Sequence, residues 1–312
     1  MTMLDRLEFG YFPNPLSLTC GPITICPLAD LALTVANVEG DDRVEQDWIY
    51  AGPQFVQDIG GDVRERPYSA RVFGLPKTHT IAHASGDGQD HLTFHLWALS
   101  FFTGMRLTST EAGCVDATPI RPGKLVDFLI LGRGLIDALT LVEGFWIRNR
   151  SAPERARLVA AAVHALFLGQ NPRHLQFEKF VLLYTAIDAC FALTKAVKKP
   201  TKQISHASRV KWMCCAFGMP TPAWADPASG AEVAVLRNET LHEALFMGAP
   251  LGFAIHGMGT NQNITLEMQA LICRFIVALL GGENCDYVRS PVTTRQRHGL
   301  NLATPCLVRA PT

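Results

Sequence analysis

The sequence predicts an α+β protein, with an N-terminal β-rich domain (residues 1–118) followed by a C-terminal all-α helical bundle (residues 119–312). Three observations predict it. Up to about residue 85, short stretches rich in β-branched and aromatic residues alternate with Pro, Gly and Asp clusters, the rhythm of strands and turns. Beyond Pro122, long stretches carry apolar residues at helical spacing. Charge divides near the same place. Residues 1–120 hold 7 Lys and Arg against 15 Asp and Glu, and residues 121–312 hold 21 against 13. The zero net charge therefore conceals an acidic part and a basic part, and the basic part is the one to search for phosphate binding.

Taken in order, LEFGYF (7–12), LSLTCGPITICPL (16–28), LALTVANVE (31–39) and YSARVFG (68–74) read as strands. HLTFHLWALSFFTG (91–104) is continuously apolar and long, and its terminal Gly104 suits a helix C-cap. MRLTST (105–110) looks extended, and DATPIRPG (116–123) looks like a linker. The segment 125–147 is expected to be helical. So is 151–170, with Ser151 as N-cap and Pro153 in the first turn. A long helix over 177–199 is ended by Pro200, and further helices are expected over about 202–217, 229–247 and 263–281.

Apolar residues at 48% and charged residues at 18% describe a packed globular chain. The opening MTMLDRLEFGYF is acidic where a signal peptide is basic, and no apolar run approaches the ~20 residues of a spanning helix. MQALICRFIVALLGG (268–282) is too short and carries Arg274 in its middle, so no membrane association and a cytoplasmic location are expected. Nine scattered cysteines read as reduced core thiols. His91 and His95 could share a helix face, but no third ligand suggests itself. Neither a metal nor a cofactor is expected.

One stretch stands out, AVLRNETLHEALFMG (234–248). On a helical wheel with Leu236 at zero, Val233, Thr240, Ala244 and Met247 define a core-facing stripe, and Asn238 and His242 stack one turn apart on the other side. Arg237 falls at about 100°, inside the apolar stripe, where a guanidinium needs a partner. Asp188, the lone charge in FVLLYTAIDACFALT, is the expected partner. The pattern admits two readings: a structural ion pair with Asn238 and His242 solvated, or three residues held for chemistry.

The order Arg237, Asn238, three residues, His242, late in a helical bundle, resembles the signature of the HEPN (higher eukaryotes and prokaryotes nucleotide-binding) family. LLYTAIDACFAL is similar to that family's aromatic-Asp helix, and RNETLHEALFMGAPLGF to a segment of the Apea-like HEPN group. Where related toxins often carry a Tyr two residues after the His, this chain has Ala244. The likeness covers roughly residues 120–282. It implies a metal-independent endoribonuclease with a composite site across a homodimer, in prokaryotic antiviral defence or toxin activity. His242 would transfer the proton, Arg237 would stabilise the phosphorane, and Asn238 would fix the ring or a phosphate oxygen. Because Arg237 and His242 point about 140° apart on one helix, two copies would converge better than one.

Lys195, Lys198, Lys199, Lys202, Arg209 and Lys211 lie in a segment with no acidic residue between Ala189 and Trp224. They read either as an RNA-binding surface or as a solvated helix end. The second Arg-Asn pair, in RNR at 148–150, reads as surface. The N-terminal domain is expected to sense a trigger, engage a regulatory partner or restrain the site. The alternative function is a non-catalytic HEPN module that binds RNA or nucleotide or scaffolds a complex.

Overall fold

The computed structural model describes residues 5–84, 88–130, 134–241, 264–293 and 298–302. The chain divides into two compact units, Met1–Leu125 and Val126–Thr312.

In the first unit, β1 (Asp5–Phe9), β2 (Leu18–Cys20) and β3 (Ile23–Pro27) precede α1 (Leu31–Glu39). Then come β4 (Val44–Glu45), β5 (Trp48–Tyr50), β6 (Pro53–Gln57), β7 (Val63–Ser69), β8 (Val72–Phe73) and β9 (His79–His83). α2 (Gln89–Thr103), β10 (Cys114–Val115) and β11 (Ala117–Pro119) close it. The main sheet has the antiparallel order β1-β9-β3-β2. Phe9, Ile23, Ile25 and Ile81 alternate onto its covered face, all fully buried, and α2 packs against β1 and β9. The expected helix ends as the sequence implies, with Gly104 left-handed at φ 62°.

Two expectations fail here. LALTVANVE is helical, not a strand: its buried residues are Thr34 and Val38, one turn apart, and the Thr34 hydroxyl bonds the Asp30 carboxylate at 3.4 Å. The supposed linker supplies β11, which pairs antiparallel with β5 and so belongs to the first unit.

The second unit opens on β12 (Phe128–Ile130) and continues with α3 (Gly134–Arg148), α4 (Pro153–Leu168), α5 (Gln176–Lys198) and α6 (His206–Ala216). α7 (Glu232–Leu241), α8 (Ile264–Val277), α9 (Asp286–Arg289) and β13 (His298–Leu300) complete it. It is mostly helical but not all-α. Residues 128–130, expected to be helical, pair in parallel with β13. The N-cap of α4 is Ala152 rather than Ser151, since Pro153 takes the first helical position. α6 starts at His206, not near 202, because the Ser205 hydroxyl accepts the Ser208 N–H. α5 stops at Lys199, left-handed ahead of Pro200.

The core gathers around α4, α5 and α8, which pack on one another. By length and mean hydropathy two helices, Gln176–Lys198 and Ile264–Gly282, match a membrane span. In α8 the run from Leu271 to Val277 is wholly buried, while Leu266 is exposed. Its Arg274, 1% exposed, donates through Nη1 to the Asp127 carboxylate at 2.9 Å and to the Ala270 carbonyl at 2.8 Å. Its Nε and Nη2 reach the Ser290 carbonyl and hydroxyl at 3.2 and 3.1 Å. Tyr287 donates its hydroxyl to the same Asp127 carboxylate. A guanidinium in mid-core is tolerable only with this many acceptors.

Candidate functional site

Three helices of the second unit bring polar residues together. On α5, Tyr184 and Asp188 sit one turn apart on one face. The Ser205 cap starts α6 so that His206 and Arg209, three residues apart, meet that face. Arg209 donates to the Asp188 carboxylate, and its guanidinium lies 4.2 Å from the Phe191 ring centroid. The His206 Nδ1 is 3.3 Å from the Tyr184 hydroxyl, and its Nε2 is 3.4 Å from Arg209 Nη2. Arginine only donates, so His206 Nε2 accepts and the ring is neutral with its proton on Nδ1. Burial, aided by the Asp188 charge, pushes the Tyr184 phenol upward against the pull of Arg209 and Arg237. Tyr184 therefore stays protonated.

α7 carries Arg237 and Asn238 to the same place. Arg237 is half-buried, as the wheel requires, and its guanidinium carbon lies 6.0 Å from the Tyr184 ring centroid. Its Nη1 donates to the Asn238 side-chain carbonyl at 3.1 Å, while Asn238 is exposed. His242 lies outside the described residues. The expected pairing of Asp188 with Arg237 is overturned: the carboxylate goes to Arg209, and the Tyr184 ring faces Arg237 instead. The premise also fails, since the Asp188 side chain is 43% exposed and under no pressure to find a buried cation.

His206 and Tyr184 are what sequence reasoning missed. The signal for His206 was present in ISHASR, a serine cap followed by His and Arg on one helical face, but it reads there as part of a basic run.

The basic segment is less free than its composition suggests. Lys198 pairs with Glu283 at 3.1 Å, Lys211 with Asp226 at 2.8 Å, and Arg209 with Asp188. The carboxylates come from other parts of the chain, so a local count misses them. Lys195, Lys199 and Lys202 are exposed. Exposed ion pairs are weak and exchange readily with phosphate, so Lys198 and Lys211 remain usable.

A cavity of about 430 Å³ lies in this unit among α3, α4, the end of α5 and the turn after α8. Arg148, Asn149, Arg155 and Lys198 meet Phe145 and Phe217 on its wall. Arg155 Nη1 donates to Asn149 Oδ1 at 2.9 Å, and Arg148 Nη2 to the Leu280 carbonyl at 3.3 Å. The RNR segment is thus a cavity rim rather than plain surface. In the first unit, His83 joins His91 and His95, supplying the third imidazole that the sequence did not suggest.

No family model, curated protein or solved structure matches the chain.

Proposed function

We propose that the protein is a metal-independent endoribonuclease of the HEPN type. The observation that carries the reading is the Arg237–Asn238 pair at the last turn of α7, set against Tyr184 with His206 and Arg209 alongside. The ribose 2′-hydroxyl attacks the adjacent phosphodiester, and the O5′ leaves. A base must take the first proton, an acid must supply the second, and a cation must hold the phosphorane. Arg237 serves the phosphorane and His242 the proton transfer. His206, whose Nε2 accepts from Arg209, is a second imidazole beside the pair and would have to exchange that bond to move a proton. Lys195, Lys199 and Lys202 would steer the RNA backbone. A homodimer that joins two copies of residues 237–242 would bring each Arg237 to the partner's His242.

The test is cleavage of single-stranded RNA by the full chain in EDTA, with 2′,3′-cyclic phosphate ends sought in the products. His242→Ala is expected to lower the rate ~10²–10⁴-fold, the usual loss for one positioned acid–base group. Loss with His206→Ala but not His242→Ala would transfer the role to His206 and end the Arg-Asn-x3-His assignment. Cleavage that needs a divalent ion would defeat the reading.

The cavity favours a second reading, a module that binds RNA or nucleotide without cutting it. Two arginines and a lysine can take phosphate, and the two Phe rings can take a base. Arg155→Ala should weaken nucleotide binding in this reading and leave cleavage unchanged in the first.

A further inference from the structure

We infer that the N-terminal unit carries a transition-metal site held by His83, His91 and His95. The chain has ten histidines, and three of them come together in the first unit, where α2 packs on β9. His91 and His95 project from α2 one turn apart, and His83 ends β9, against which α2 packs. All three are buried, His83 at 1% exposure and the other two at 0%. Apart from Ser100, the other buried positions of α2 are apolar, Leu92, Phe94, Leu96, Leu99 and Phe101 among them, so imidazole here interrupts a largely hydrocarbon surface.

The geometry is that of two ligands in register with a third imidazole close by. A tetrahedral ion bound by three imidazole nitrogens at ~2.0–2.1 Å holds the ring centroids about 5 Å from one another. The centroids here are 4.4 Å apart for His83 and His91, 4.7 Å for His91 and His95, and 6.4 Å for His83 and His95. His95 would have to turn towards His83 on metal binding to complete the set, since their 6.4 Å separation exceeds the tetrahedral spacing. Candidate ligand nitrogens of His83 and His91 lie within 4.8 Å of each other.

The tautomer of His95 is already set for the task. Its Nδ1 is 3.0 Å from the His91 backbone carbonyl, which can only accept, so Nδ1 carries the proton and Nε2 keeps its lone pair. A backbone carbonyl on the far nitrogen is the usual outer support of a metal-bound histidine. Neutral imidazoles select zinc and its neighbours over calcium or magnesium. Three such ligands leave a fourth position for water or another donor. The site is independent of the nuclease reading and would stand if that reading failed.

The experiment uses the full chain without a polyhistidine tag, stripped by chelator and titrated with Co²⁺ and then Zn²⁺. The expected result is one equivalent of metal per chain, the visible bands of tetrahedral Co²⁺, their displacement by Zn²⁺, and a melting temperature raised by several degrees. His91→Gln and His95→Gln should abolish stoichiometric binding while circular dichroism stays unchanged. If those variants fail to fold, X-ray absorption of the Zn²⁺-loaded wild type decides, with three imidazole shells expected. Failure of the wild type to take up stoichiometric metal overturns the inference. So does undiminished binding in folded variants, or an absorption spectrum lacking three imidazoles.

Discussion

Removing Asp127 tests how the second unit tolerates a guanidinium in its centre. Asp127→Ala deletes the only carboxylate among the groups shown bonding Arg274, at 2.9 Å, and the acceptor of the Tyr287 hydroxyl. Breaking a buried pair from one side costs about 3–5 kcal/mol because the remaining charge stays buried. Arg274 is 1% exposed, but Asp127 is 21% exposed, and Arg274 keeps its bonds to the Ala270, Ser290 and Pro291 oxygens. The lower end, ~3 kcal/mol, follows. At roughly 2–4 °C per kcal/mol for a unit of this size, the melting temperature should fall by about 6–12 °C. Urea denaturation followed by far-ultraviolet circular dichroism, which reports mainly the helices of this unit, measures it. Adding Arg274→Met to Asp127→Ala removes the stranded charge, so the double variant should recover part of the loss. A single-variant loss below ~1 kcal/mol, or a double variant worse than the single one, would refute the argument that desolvated charge sets the magnitude.

Burial depresses the His79 imidazole from 6.5 to about 4, and Leu16 N–H donates to its Nε2 at 3.1 Å. The unfolded chain therefore binds the extra proton first. The stability from neutral His79 is complete above pH ~6.5 and drains away as pH falls towards 4, ~3 kcal/mol in all. A His79→Gln protein with the same pH slope as wild type would contradict this. Burial also pushes Cys114 up to about 11 and Cys190 and Cys214 up to about 12. In the folded protein Cys26 and Cys215, both exposed, should react promptly with a thiol reagent, and prompt loss of Cys190 or Cys214 would be the wrong outcome. Asp188→Ala should cost less than Asp127→Ala, ~2 kcal/mol, because Arg209, 12% exposed, is stranded but the carboxylate is 43% exposed and Arg209 keeps its Phe191 and His206 contacts. A loss of ~3 kcal/mol in denaturant titration would show that the pair is sealed from solvent.

The order of the fold was legible where one local cause dominated. α2 announced itself by length and Gly104, and α5 by its apolar run and Pro200. α1 was not legible, because Leu31, Leu33 and Val35 alternate as in a strand, while the residues that are buried, Thr34 and Val38, are a helical pair. The other misses share a different cause. β12 exists because residues 298–300 lie beside it, and β11 because β5 does. A partner far along the chain leaves no mark on the few residues it converts to a strand, so three residues next to Pro122 read as a linker.

The same physics separates what was legible in the site from what was not. That Arg237 is half-buried follows from its angle on α7, a property of ten consecutive residues. Its neighbour is a property of two helices. Tyr184 and Asp188 occupy one face of α5, one turn apart, and either could meet Arg237; only the placement of α6 assigns Asp188 to Arg209 and leaves the Tyr184 ring for Arg237. The histidine cluster repeats the lesson. His91 and His95 are visible as a pair because a single helix sets their spacing, whereas His83 joins them only through the packing of α2 on β9. Local periodicity thus tells which side chains a helix must bury, and tertiary packing tells what each then meets.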